Sequence, residues 1–207
     1  MTSEPPEWLR VSSAPDTGAP APAPRDSVLF VCTGNICRSA FADASLRHLL
    51  GPSSPVRVHS AGISALVGAP MDPLMEAEAH RLGVRETHHA ARQLTGRLLG
   101  DATVVFVFGP EHVDWIASRH PEHLGKVVGL GHAAAALTAR ASEARPGADT
   151  PPTPAELPAL VRKVPTSDRP GLWIPDPYRR GPRAAADAAT RIHDAVSTLV
   201  ARMALRP

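Results

Sequence analysis

A cysteine and an arginine stand at the two ends of a short loop in the segment VLFVCTGNICRS, residues 28–39. Cys32 follows an apolar stretch typical of a strand, and Arg38 begins a helical pattern. The backbone N–H groups between them can turn inward as an anion-binding nest, and the helix adds its positive N-terminal end. Such a field favours the ionised sulfur and makes Cys32 a nucleophile at neutral pH. The loop is therefore predicted to bind a phosphate-like oxyanion and to attack it.

Two simpler interpretations of this segment fit less well. A free cysteine after a strand is often only a small buried apolar residue. Here a Gly-Asn turn, a correctly spaced arginine and the hydroxyl of Ser39 occur with it in one short segment, which favours a chemical role. A nucleotide-binding loop of the Walker type would read GxxxxGK[ST], and it has no use for a cysteine.

Asp176, in the segment IPDPYRRG at 174–181, is the candidate general acid. When a thiolate attacks phosphorus, the departing oxygen needs a proton from an acid on the opposite side. Pro175 and Pro177 flank Asp176, fix the backbone and remove nearby N–H donors. An Asp-Pro pair alone usually marks an ordinary turn. Its combination with the cysteine loop is what predicts catalysis.

Strands and helices alternate from residue 27 onward and would position these side chains. Strands are expected at 27–31, 56–60, 103–108 and 126–130, and helices at 38–50, 72–82, 111–119 and 184–203. This order predicts a three-layer α/β/α fold with a four-stranded, parallel, doubly wound sheet. Ligands bind beyond the carboxyl ends of the strands in such sheets, and Cys32 lies at one of those ends.

Two segments depart from this alternation. Residues 1–26 are rich in Pro and Ala and are predicted to form a disordered arm ahead of a domain at 27–207. Residues at about 133–175 form a Pro- and Ala-rich insertion, in which 133–144 has high helix propensity. A mobile flap beside the active site is favoured over a second domain, because long connections are usually flexible or functional.

Composition limits the class of protein and its partners. Of the 207 residues, 43% are hydrophobic, and the formal net charge is only +2. That charge is far from the concentrated basic footprint of a nucleic-acid binder. No apolar run is long enough to span a bilayer, and residues 1–25 lack the order of a signal peptide. With both cysteines in one loop, a reducing compartment is expected, so the chain is predicted to be cytoplasmic.

Together, these motifs resemble the low-molecular-weight protein tyrosine phosphatase family. VCTGNICRS at 31–39 is similar to the phosphate loop of that family, and DPY at 176–178 to its acid loop. Weaker similarities are SAG at 60–62, GAPMDP at 68–73 and HAARQLT at 89–95. The resemblance extends from about residue 28 to 203, interrupted by the insertion. It implies the same α/β fold and the hydrolysis of phosphotyrosine.

The resemblance also assigns roles to the residues that match. Cys32 would form a phosphocysteine, and Arg38 would bind the phosphoryl oxygens bidentately. Ser39 would hydrogen-bond the thiolate, while Asn35 would hold a strained left-handed turn of the loop. Asp176 would protonate the leaving group and then activate water.

The remaining loop residues would bind phosphate: Thr33, Gly34, Ile36 and Cys37. Cys37 also matches a second cysteine that can form a reversible disulfide with the nucleophile. Leu66 and Tyr178 would form the walls of the substrate slot. The resemblance implies no metal and no organic cofactor.

Bacterial members of the family, which act on autophosphorylated tyrosine kinases, are most similar at 63–67 and in IPDPYRR. The expected partner is therefore a tyrosine-phosphorylated protein, and a bacterial tyrosine kinase in particular. Three alternatives stay open: a protein arginine phosphatase, a thioredoxin-coupled arsenate reductase and a non-catalytic phosphoprotein-binding regulator. Ile36, where arginine phosphatases have Thr, disfavours the first. The lack of a cysteine beyond Cys37 disfavours the second.

Overall fold

A four-stranded parallel sheet forms the centre of the computed structural model, which describes residues 26–143, 150–164 and 171–205. The predicted disordered arm at 1–26 lies outside these residues, apart from Asp26. The strands are β1 (Ser27–Cys32), β2 (Arg57–Gly62), β3 (Val104–Val107) and β4 (Val127–Gly129), in the order β2-β1-β3-β4. Crossover to both sides of β1 makes the sheet doubly wound, as the sequence predicts.

Helices occupy both faces of the sheet. They are α1 (Arg38–Leu50), α2 (Pro73–Arg81), α3 (Gly96–Asp101), α4 (Pro110–Arg119), α5 (Leu130–Glu143), α6 (Leu157–Lys163) and α7 (Gly181–Arg202), with a 3₁₀ helix at Pro121–Lys126. Among the described residues, none of these helices combines the length and apolar character needed to cross a bilayer. The predicted three-layer α/β/α fold is confirmed.

Alternate residues of β1 pack in two separate hydrophobic cores, one on each face of the sheet. Phe30 stacks on Phe106 of β3 with ring centroids 5.4 Å apart, on the face that α1, α2, α5 and α7 cover. Leu29 points to the opposite face and packs in a core that includes Leu99 of α3 and Ile116 of α4. Because both faces are covered, the strands read as continuous apolar runs rather than as alternating ones.

The described parts of the insertion are core structure and not a flap. Helix α5 buries Ala133, Ala136 and Leu137 where it packs against α7, and Leu157 at the start of α6 is fully buried. The high helix propensity of 133–144 agrees with α5 over its described residues, whereas a mobile flap is wrong for these parts. Small alanine side chains allow close helix packing, and they leave no stripe of large apolar residues to predict it. Residues 144–149 and 165–170 lie outside the described residues.

The ends of β1 and β2 approach each other closely at the carboxyl edge of the sheet. Cys32 pairs in register with Gly62. A Cβ atom on Gly62 would lie 2.5 Å from the carbonyl oxygen of Thr33, which is closer than real Cβ contacts allow. The glycine of the SAG segment therefore makes room for the first turn of the loop after Cys32.

Candidate active site

The loop between β1 and α1 is held in a strained conformation by a neighbouring segment. Asn35 has a φ of 54°, in the left-handed region that only a few non-glycine residues adopt. Its side-chain oxygen accepts a hydrogen bond from the backbone N–H of Arg92 at 2.9 Å, and its carbonyl contacts the ring of His89. The HAARQLT segment thus braces the loop from outside. The left-handed Asn35 expected from the sequence is confirmed.

Cys32 and Ser39 face each other across the base of the loop. The sulfur lies 2.9 Å from the Ser39 hydroxyl oxygen, and the Asn35 side-chain amide donates to that same oxygen at 2.9 Å. An oxygen that accepts from Asn35 is oriented to donate its own hydrogen to the sulfur. Such a donor can stabilise negative charge on the sulfur when the sulfur departs from a covalent intermediate.

Arg38 is the most buried charged group of the site, with 2% of the residue exposed. One terminal nitrogen lies 2.9 Å from a carboxylate oxygen of Asp176, and the other donates to the carbonyl of Ile174 at 3.2 Å. The Nε–H group is buried and has no hydrogen-bond partner among the described residues. A buried donor without a partner lowers the stability of the folded protein. An oxyanion bound at this point would accept its hydrogen bond and would itself be stabilised.

Asp176 reaches the loop from a segment that is fastened to the sheet just before it. The N–H of Ile174 donates to the carbonyl of Phe108 at 2.9 Å, immediately after β3 ends. The Asp176 carboxylate accepts a hydrogen bond from the backbone N–H of Tyr178 at 3.2 Å. The expectation that the flanking prolines leave Asp176 without nearby donors is therefore wrong, because the Asp-Pro-Tyr turn brings the next free N–H back to the carboxylate.

Cys32 and Asp176 line one cavity of about 320 Å³. Its walls include Leu66 and Tyr178, the two residues expected to form the substrate slot, and they are 46% and 37% exposed. Four further loop residues that were expected to bind phosphate also line it: Thr33, Gly34, Ile36 and Cys37. The structure thus brings the sequence-predicted residues together at one place.

Cys37, the second cysteine of the loop, is buried near an acidic side chain. Burial is the main cause that raises the pKa of its thiol, and the nearby Asp72 carboxylate adds to the effect. Cys37 is therefore a neutral thiol at physiological pH. Both cysteines are free and buried in this structure.

Two residues at the start of α4 complete the site and were not among the sequence-predicted residues. His112 is fully buried, and its Nε2 lies 3.2 Å from the hydroxyl of Thr33. Its Nδ1 accepts the N–H of Gly109 at 3.0 Å, which leaves the ring hydrogen on Nε2 to donate to Thr33. Glu111 lies 3.6 Å from a terminal nitrogen of Arg38.

His112 stays neutral because of where it lies. Burial, and secondarily the positive charge of Arg38, lower its pKa to about 4. A neutral His112 can orient Thr33 without placing a second cation beside Arg38. Among the described residues, no three His, Cys, Asp or Glu side chains are grouped so that they could hold a metal ion.

Comparisons with known proteins match the part of the chain that contains this loop. A family model described as Low molecular weight phosphotyrosine protein phosphatase matches residues 27–146. Wzb of Escherichia coli K12, named a low molecular weight protein-tyrosine-phosphatase, is 35% identical over 109 residues, which are 52% of this chain and 71% of that protein. EpsP of Ralstonia nicotianae is 45% identical over 106 residues, which are 51% of this chain and 70% of its own length.

Solved structures match over a longer span. The tyrosine phosphatase Wzb from Escherichia coli K30, in complex with sulphate, superposes with a TM-score of 0.62 at 26% identity, covering 85% of this chain and 96% of that one. The YwlE arginine phosphatase from Geobacillus stearothermophilus has the same TM-score at 24% identity, covering 85% and 91%, a likeness of fold alone. Since the family model spans more than half of the chain, including the entire Cys32 loop, this protein belongs to the low molecular weight phosphotyrosine protein phosphatase family and is a phosphatase.

Proposed function

We propose that this protein hydrolyses phosphotyrosine in proteins by way of a phosphocysteine intermediate. The observation that carries the proposal is that Cys32 and Asp176 line one cavity while Asp176 contacts Arg38 at 2.9 Å. A nucleophile, an oxyanion-binding group and an acid are the three parts that phosphoryl transfer to sulfur requires. A non-catalytic phosphoprotein-binding regulator would need the loop but not the acid.

In the first step, the Cys32 thiolate attacks phosphorus and the bond from phosphorus to the tyrosine oxygen breaks. The electron pair leaves with that oxygen, which takes the proton of Asp176 and departs as tyrosine. Negative charge on the transferring phosphoryl group is stabilised by the Arg38 guanidinium, through its unpartnered Nε–H, and by the loop N–H groups. The product is a phosphocysteine, and Asp176 is left as a carboxylate.

In the second step, a water molecule attacks the phosphocysteine. Asp176 takes one proton from that water, the phosphorus–sulfur bond breaks, and the electron pair returns to Cys32. The Ser39 hydroxyl, at 2.9 Å from the sulfur, stabilises the thiolate as it leaves. Inorganic phosphate is released and both residues regain their starting states.

The walls of the cavity support an aryl phosphate as the substrate. Leu66, Ile36 and Tyr178 provide apolar surface on which a phenol ring can pack. The cavity offers Asp176 as its acidic side chain, whereas a phosphoarginine guanidinium would need carboxylates along its length. Ile36 contributes only apolar contact where such a substrate would need polar partners.

We further propose a cytoplasmic, tyrosine-phosphorylated partner, with a bacterial tyrosine kinase as the first candidate. The similarity of the loop at 63–67 and of IPDPYRR to bacterial members of the family supports this choice. Two free thiols in one catalytic loop suit a reducing compartment.

The direct test is to compare reduced protein on peptides that carry phosphotyrosine, phosphoarginine or phosphoserine. We expect phosphate release from phosphotyrosine to exceed the other two by at least about 10²-fold in kcat/KM, as pocket selectivity allows. Preferential phosphoarginine turnover would overturn the substrate, and no turnover at all would favour a binding module.

A further inference from the structure

Positive charge is concentrated next to the acid loop. Three exposed arginines, Arg179, Arg180 and Arg183, surround the start of α7. None of the three is in an ion pair with any residue that the structure describes. In this segment Asp176 is already paired with Arg38, so the three arginines outnumber the remaining carboxylate at this rim, Asp187.

A second cavity, of about 430 Å³, lies on the α7 side of the acid loop. Asp176 lines both this cavity and the one that contains Cys32. Its apolar lining includes Pro175, Pro177 and Ala188, while Arg180 and Arg191 supply its positive charges. Asp187 is its negatively charged residue apart from Asp176.

Arg179 stands at the border between the two cavities. It has a φ of 58°, and its guanidinium carbon lies 5.0 Å from the centre of the Tyr178 ring. It lines the cavity that contains Cys32, whereas the next residue, Arg180, lines the second cavity. Two consecutive arginines thus place one positive charge at each cavity.

We infer that the second cavity, through its Arg180 and together with the exposed Arg183 in the first turn of α7, binds acidic side chains that flank the phosphotyrosine of a substrate protein. This inference rests on the proposed function. An extended peptide advances about 3.3 Å per residue, so a residue a few positions from the phosphotyrosine can cross the acid loop and reach the second cavity. Guanidinium groups match carboxylates in geometry as well as in charge, and exposed charge at a rim mainly accelerates encounter with its partner.

Two matched phosphotyrosine peptides test this surface: one has Glu on both sides of the phosphotyrosine, and the other has Gln at the same positions. We expect kcat/KM for the Glu peptide to be about tenfold higher at low salt, the size that two or three exposed ion pairs provide. This preference should shrink toward parity in about 0.5 M salt, because exposed charges are screened.

Substitutions test whether the preference for the Glu peptide depends on Arg180 and Arg183. In Arg180→Gln/Arg183→Gln the ratio between the two peptides should fall to about twofold or less. The control is Arg57→Gln/Arg202→Gln, which removes two exposed charges at the opposite edge of the sheet and at the far end of α7, and should retain the full ratio. Binding of both peptides to Cys32→Ser protein should give the same order without depending on turnover.

The outcomes separate the two levels of the proposal. Equal kcat/KM for both peptides, or a ratio that Arg180→Gln/Arg183→Gln leaves unchanged, would overturn the acidic docking surface while phosphotyrosine hydrolysis stands. If neither peptide is hydrolysed or bound, the proposed function fails and the docking inference fails with it.

Discussion

At the scale of single residues, the contact between Arg38 and Asp176 joins two segments that lie far apart in the chain. The guanidinium group is bonded to the Asp176 carboxylate, to the Ile174 carbonyl and to the Thr33 hydroxyl. A buried charge needs such partners, because desolvation would otherwise be costly. The same residue that binds the phosphoryl group therefore also holds the acid beside the nucleophile.

Asp176→Asn keeps the shape of the side chain but removes the proton that the leaving oxygen requires. We expect kcat/KM for phenyl phosphate, which reports the departure of the leaving group and not the later hydrolysis step, to fall by about 10²- to 10³-fold. The loss for 4-nitrophenyl phosphate should be much smaller, because nitrophenolate leaves without protonation. Steady-state kinetics on the two esters measures the difference. Asp194→Asn, on the exposed side of α7, is the control, and equal losses for both esters would contradict the acid role.

Some residues of the site could be predicted from the sequence and others could not. The cysteine loop and Asp176 could be identified because their signals are local in sequence. His112 could not, because its contact with Thr33 joins residues separated by 79 positions, and a histidine in the first turn of a helix carries no special signal. The segment Gly-Pro-Glu-His after an apolar strand predicts only that a helix begins there. The contact between His112 and Thr33 becomes apparent once the sheet brings the ends of β1 and β3 together.

At the scale of elements, long apolar runs predicted all four strands, while short helices escaped prediction. Helix α3 spans only Gly96–Asp101, and its two glycines lower its intrinsic helix propensity. The predicted flap was wrong because alanine-rich α5 packs against α7 through small side chains, a tertiary contact that composition does not reveal. Prediction therefore succeeded for the strands and the longer helices, and it failed for α3 and for the packing of α5.

Helix α7 fastens the segment that leads to the acid. Arg191 donates to the carbonyl of Trp173 at 2.8 Å and to that of Gly171. The ring of Trp173 in turn packs on His132 of α5, with ring centroids 4.3 Å apart. The acid loop is thus positioned by two helices, one of which belongs to the insertion.

Arg191→Met should loosen this attachment while preserving the helix. We expect kcat/KM for phenyl phosphate to fall about tenfold, since misplacing a catalytic group by a fraction of an ångström has effects of this order. For 4-nitrophenyl phosphate the fall should be smaller, because only the acid is displaced. Arg202→Met, at the end of the same helix, is the matched control. If both esters lose activity equally, Arg191 acts on the fold and does not position the acid.

At the scale of the whole molecule, several histidines are held neutral by burial. Burial is the main cause that lowers the pKa values of His59, His89, His112 and His132, that of His112 from 6.5 to about 4. Between pH 6.5 and about pH 4, these histidines bind more protons in the unfolded chain than in the folded one. The free energy of unfolding must therefore decrease as the pH falls from about 6.5 toward 4. Burial raises the pKa of Asp43, so this one carboxyl group contributes a change of opposite sign to the free energy of unfolding.

His112→Gln keeps a donor for Thr33 but removes the titrating ring. Denaturant unfolding at pH 7 and at pH 4.5 should show a smaller loss of stability on acidification than in the wild type. The difference is on the order of 2–3 kcal/mol, since each pKa unit corresponds to about 1.4 kcal/mol. His48→Gln, at an exposed position, is the control. An unchanged loss on acidification would show that His112 does not titrate in this range.

The most direct measurement on the whole enzyme is intact-mass and peptide analysis of protein quenched in acid within milliseconds of mixing with a phosphotyrosine peptide. We expect one added phosphoryl group, located on Cys32 and absent from Cys32→Ala protein. Asp176→Asn should increase its steady-state amount with an aryl phosphate that has a good leaving group, because hydrolysis of the intermediate is slowed. Turnover with no phosphoryl group on Cys32, or with the group on another residue, would contradict the two-step reaction at this cysteine.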